Sequence, residues 1–80
     1  MDKRIGVVAI IVKDRKSSAP KVNTILSGYG EMIVGRVGLP YKERGVSVIS
    51  LIIEASTDEV GALTGKLGQL DGVQVKSILV

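Results

Sequence analysis

Along "RIGVVAIIVK", residues 4 to 13, apolar side chains fill both alternating sets: Ile5, Val7, Ala9 and Ile11 on one, Val8, Ile10 and Val12 on the other. Side chains of a strand point alternately to opposite faces, so this stretch predicts a strand in the middle of a sheet, covered on both sides. "GVSVISLIIEA" repeats the pattern and predicts a second central strand. "EMIVGRVGL" is interrupted by Gly35 and Gly38 and carries Arg36, which places it nearer an edge. "VQVKSILV" has Gln74 and Lys76 on one face, as an edge strand does. Between the first two runs, Val22, Ile25, Leu26 and Tyr29 recur at helical spacing. Ser17 or Ser18 is expected to cap that helix, with Pro20 in its first turn and Gly28 and Gly30 at its end. Ser56-Thr57-Asp58-Glu59 reads as a capping box ahead of a second helix striped by Val60, Leu63, Leu67 and Leu70, which closes at Asp71-Gly72. "PYKERG" is a polar link of hairpin length.

The order is β-α-β-β-α-β, the split βαβ arrangement of ferredoxin-like folds. It predicts an α+β sandwich: one domain over residues 1–80, a four-stranded antiparallel sheet in the spatial order 4-1-3-2, and two helices on one face. That order puts the two strands that are apolar on both sets in the middle. The second face of the sheet is left without helices. It exposes either the set with Val8, Ile10 and Val12 or its alternate, together with apolar residues of the third strand. A contiguous apolar patch of that size calls for a partner, and eighty residues make a core near the lower limit of self-sufficiency. A homo-oligomer is the expectation.

Composition narrows the chemistry. There is no cysteine and no histidine, so no disulfide frame, thiolate or imidazole metal site, or Ser-His or Cys-His catalytic pair can be built. No metal and no cofactor are expected. The net charge of +3 is dispersed, which does not make a nucleic-acid-binding stripe. Sheet-face RNA binding requires aromatic residues that the first and third strands lack. "MDKRIGVVAIIVKDRK" has basic residues before an apolar run but no small-x-small cleavage site, and the run is too short to span a bilayer. A cytoplasmic protein without a membrane segment is expected.

Two groups of residues stand out as candidate sites. Arg36, Tyr41, Lys42 and Arg44 cluster in sequence around the hairpin, either as a ledge for an anionic effector or an acidic partner, or as a solvated tip whose charges discourage edge pairing. Gly61, Gly65 and Gly68 fall within a sector of about 60° beside the apolar stripe of the second helix. Each interior glycine costs a helix about 1 kcal/mol relative to alanine. A flank stripped of side chains admits close approach, either by the first helix of the same chain or by another subunit or a flat ligand. Asp58 and Glu59 belong to the helix start, where the dipole favours acids, rather than to a cation site. Gly35 and Gly38 either mark a bulge or let a ligand near the strand.

At "GRVGLPYKERGVSVISLIIEA" followed by "DEVGALTGKLGQLDGVQVK" the chain resembles the iron-only hydrogenase system regulators, over nearly its whole length. The resemblance implies an ACT-like regulatory domain that assembles as a dimer or tetramer. Nickel-responsive repressors share the element order but bind metal through histidine and cysteine, so that function is not carried over. Amino-acid-binding ACT domains use a glycine-containing turn after the first strand. Here the turn is "KDRKSSAP", without glycine, and Asp14 and Arg15 are the polar residues at which the resemblance would place a small anionic or amino-acid-like effector. No room for a helix-turn-helix lies ahead of residue 5, so sequence-specific DNA binding is expected to need another chain. The reading is a non-enzymatic, homo-oligomeric regulatory module with any effector at a subunit interface. Its alternatives are a structural module that docks on a larger partner without a ligand, and an enzyme using Arg36 and Arg44 with Glu43 or Glu54.

Overall fold

The computed structural model describes residues 2–13 and 15–80, with Arg15 represented by its backbone alone. The expected site residue Asp14 lies outside the described residues. The elements are β1 (Arg4–Val12), α1 (Arg15–Ser27), β2 (Ile33–Tyr41), β3 (Val46–Ala55), α2 (Thr57–Gly68) and β4 (Val73–Leu79). They form one antiparallel sheet in the order β2-β3-β1-β4, the expected ferredoxin-like order counted from the other edge. β1 and β3 pair along their length, Arg4 opposite Ala55 through Val12 opposite Ser47. Antiparallel neighbours on both sides satisfy their backbone donors and acceptors, as runs apolar on both faces require.

The core is the layer between sheet and helices. Val8, Ile10 and Val12 of β1 and Leu51 and Ile53 of β3 are wholly buried there with Val22, Leu63 and Leu67 of the helices. Each such side chain contributes roughly 1.5–3 kcal/mol by leaving water. The helix face therefore takes the Val8 set, and the open face is left with Ile5, Val7, Ala9 and Ile11.

α2 begins as its sequence requires. Ser56 Oγ accepts from the Glu59 N–H at 3.2 Å, and Glu59 Oε1 accepts from the Ser56 N–H at 2.9 Å. α1 departs from expectation at its start. It begins at Arg15, so Ser18 lies within the helix and Pro20 is its sixth residue rather than part of its first turn. Ser18 is buried, and its hydroxyl donates to the Asp71 carbonyl at 2.6 Å. A hydroxyl spent on a carbonyl far along the chain is not free to cap its own helix. The same turn is held from β1, where the Lys13 N–H donates to the Gly72 carbonyl at 2.7 Å. Gly72 has φ 72° and Gly45, which ends the link after β2, has φ 68°. Both lie in the left-handed region that favours glycine.

The link between β2 and β3 is shorter than "PYKERG": β2 continues through Pro40 and Tyr41, and a 3₁₀ turn over Lys42–Arg44 makes the reversal. Glu31 and Met32, expected in the strand, instead complete a 3₁₀ turn over Gly30–Met32. The register of β2 shifts between Ile33 and Gly35, so a bulge precedes Gly35, whereas Gly38 pairs in regular register with Ile49. At the opposite end of the sheet from the hairpin, the Val80 N–H donates to the Ile5 carbonyl at 2.9 Å.

Gly6 is the tightest point. A Cβ there would meet the Ile78 carbonyl oxygen and Leu79 Cδ2, each at 2.5 Å, so β4 must shift to admit it. Gly6→Ala is expected to lower stability by about 1–3 kcal/mol in chemical denaturation. Gly38→Ala, whose Cβ meets nothing within 4 Å, should stay within about 0.5 kcal/mol.

Candidate functional site

The open face is defined by strand register. Rows across it run Gly35–Ile52–Val7–Ile78, Val37–Ser50–Ala9–Lys76 and Leu39–Val48–Ile11–Gln74. Val7 is 44% exposed, Ile52 48%, Val37 67% and Ile78 68%, so large apolar side chains on all four strands meet solvent together. At strand spacing the face measures on the order of 500 Å². Along its middle, charge is sparse and diagonal: Glu54 stands beside Ile5, and Lys76 stands beside Ala9, two strands across and on the far side of Val7, while Lys13 and Arg44 stand at the hairpin end.

The hairpin cluster divides between the faces. Arg36 pairs with Leu51, a core residue, and therefore points to the helix side, where its guanidinium donates to Asn23 Oδ1 of α1. Tyr41 is five positions on and so has the opposite parity. It lies on the open side with Arg44 in a depression of about 340 Å³ that Lys13 and Gln74 also line. Lys13 and Gln74 are not among the site residues expected from the sequence. The signal was present as parity, because Lys13 extends the open-face set of β1 by one step and Gln74 faces Ile11 in register. Lys42 is exposed and is not among the residues of that depression. Of Arg15, only its place at the start of α1 is described.

The glycine flank of α2 does not press on α1. A Cβ on Gly61 or Gly65 would meet nothing within 4 Å, and one on Gly68 would only touch Val75 Cγ1 at 3.9 Å. Of the two expectations for this flank, contact with α1 is not what the fold contains. Gly68 instead borders a depression of about 440 Å³ that wraps β4 beside Gln74, Val75 and Lys76.

A larger hollow, about 580 Å³, lies at the turn after α1, lined by Tyr29, Glu31, Met32 and Glu59 among others. Its Glu59 is already engaged: the carboxylate accepts from Lys3 Nζ at 2.8 Å as well as from the Ser56 N–H. The Lys3 hydrogen bond, then that of the Ser56 backbone, lower its pKa from 4.5 to about 2. Lys66 Nζ sits 5.2 Å from the centre of the Tyr29 ring nearby. No group of three or more potential metal ligands occurs among the described residues.

An open-faced, four-stranded β-α-β-β-α-β sandwich with this strand order defines an ACT-like domain of the ferredoxin-like class. Two solved structures of the ACT domain from GTP pyrophosphokinase of Chlorobium tepidum match it. The crystal structure has TM-score 0.80 and 20% identity, covering 95% of this chain and 99% of that one. The solution structure has TM-score 0.78 and 21% identity, covering 98% and 89%. At such identities the likeness is one of fold. The sequence model of the TM1266-like family, described as an iron-only hydrogenase system regulator, matches residues 4–77, and the chain belongs to that family. The uncharacterized protein TM1266 from Thermotoga maritima is 39% identical, with TM-score 0.95 and 99% of each chain covered. No curated protein matches the chain. No helix among the described residues is long and apolar enough to cross a membrane.

Two expectations follow from this geometry. Because the pKa of Glu59 is depressed in the fold, its contribution is present above about pH 4.5 and is lost as pH falls toward 2. Melting temperatures recorded from pH 6 to pH 2 should fall less steeply in Glu59→Gln than in the unaltered chain. Gly65→Ala should raise unfolding stability by up to about 1 kcal/mol, since the added methyl gains helix propensity without a collision.

Proposed function

We infer that the chain is a non-enzymatic, cytoplasmic regulatory module of an iron-only hydrogenase system that works as a homo-oligomer and takes a small effector at or beside the subunit contact. The open apolar sheet face carries this reading. A pair of such faces buries on the order of 1,000 Å², the lower bound for a specific interface. The occupant is a second copy of this chain because the face is self-complementary. A two-fold pair has isologous contacts, and the diagonal of Glu54 and Lys76 lets the acid of each copy meet the base of the other while the apolar rows meet between them. Both helices pack on the sheet, so regulation proceeds through assembly and through another macromolecule rather than through direct reading of DNA. Membership of the regulator family supports the role and names a system rather than a reaction.

Light scattering after size exclusion should give at least a dimer at micromolar concentration. Ile52→Lys and Val37→Lys, both at exposed positions, should shift the chain to a monomer without loss of fold. A folded monomer of the unaltered chain at that concentration would overturn the assembly. Native mass spectrometry of protein purified gently from its own cells reports subunit count, retained ligand and retained partner together. A heteromeric complex without a small molecule would favour the alternative of a docking module.

A further inference from the structure

We propose that the depression at the hairpin end of the open face binds a small organic anion with a charged head and a short apolar body. The proposal rests on the effector-binding part of the reading above and specifies its ligand class and place. Two cations, Lys13 and Arg44, line the depression, and among the described residues no carboxylate does. Among the described residues neither cation has an ion-pair or side-chain hydrogen-bond partner, whereas Arg36 is engaged by Asn23 and Lys3 by Glu59. Glu43, the acid of the adjoining turn, is exposed and lies outside the lining. The floor is apolar, made by Ile11, Val46 and Val48, while the Tyr41 hydroxyl and the Gln74 amide supply neutral hydrogen-bonding groups.

This mixture selects a class of ligand. An inorganic anion satisfies the cations but leaves the aliphatic floor wet, and a neutral apolar molecule covers the floor but leaves the cations unmet. A volume of about 340 Å³ holds roughly ten waters at about 30 Å³ each, which is the scale of a ligand with on the order of ten non-hydrogen atoms. The supports are fixed. The Lys13 N–H is held by the Gly72 carbonyl, and Arg44 precedes Gly45, whose N–H donates to the Lys42 carbonyl at 3.1 Å. Three other hollows suit such a ligand less well: the one at the turn after α1 presents Glu31 and Glu59, the one along β4 has Lys76 as its single cation, and one of about 220 Å³ on the helix side has only Arg36, already engaged by Asn23.

Benzoate is the probe, with benzyl alcohol as its uncharged counterpart and inorganic phosphate as the head without a body. In amide NMR titrations of the full chain near physiological salt, benzoate should shift the signals of Lys13, Tyr41, Arg44 and Gln74. Benzyl alcohol and phosphate should each bind at least about tenfold more weakly, as expected when one of the two interactions is missing. The double variant Lys13→Gln/Arg44→Gln should lose at least about tenfold in benzoate affinity, with scattering mass and the remaining amide signals unchanged. Benzoate shifts located elsewhere, equal binding of either control, or unchanged affinity in the double variant would overturn the site. A dimer that ignores benzoate overturns this proposal and leaves the assembly standing. A monomer that binds benzoate at these residues upholds it while the assembly fails.

Discussion

The structure depends on one constraint: β1 is apolar on both of its faces, and the chain supplies helices for only one. Val8, Ile10 and Val12 are sealed beneath α1 and α2, so Val7, Ala9 and Ile11 must look the other way. No rotation of the strand removes the difficulty, because a shift of one residue would only exchange the two sets. The rest of the architecture is arranged around that strand. β3 and β4 flank it, the helices lie across one side, and the edge strands carry the bulge and the charges that limit further growth of the sheet.

Element order and sheet order were legible because they follow from period. Apolar runs of nine or ten residues filled on both sets and a helical stripe over a dozen are redundant signals, and the capping box at Ser56 and Glu59 is local chemistry. The start of α1 was not legible, because Ser18 is claimed by the Asp71 carbonyl, a partner fifty-three positions away. The link from Lys3 to Glu59 spans fifty-six positions and is equally silent in the sequence. Part of the candidate site is encoded in strand parity. Arg36 and Tyr41 are close in sequence, yet their parity sends them to opposite faces, and the same counting brings in Lys13. The glycine flank of α2 was visible as a sector, while its freedom from α1 depended on how far apart the helices lie.

On the reading proposed above, the domain acts through coupling. A ligand that occupies the corner beside the open face shifts association only to the extent that its affinity differs between the single and the paired chain. The corner stands at one end of the face, where Tyr41 and Val46 close the hairpin and the apolar rows begin. Contacts made by such a ligand and by a second copy would share Ile11 and Val48, a common surface through which each event would alter the other.

The hydrogen bond from Val80 to the Ile5 carbonyl has a consequence for chain connectivity. It brings both ends of the described polypeptide to one border of the sheet, and the Lys13–Arg44 corner lies at the other, about 30 Å away along the strands. Two such sandwiches joined head to tail would therefore keep every ladder intact. Joined in that way, the linker occupies a border that the corner does not use, and a tether or fluorophore attached there reports on the domain without entering the depression.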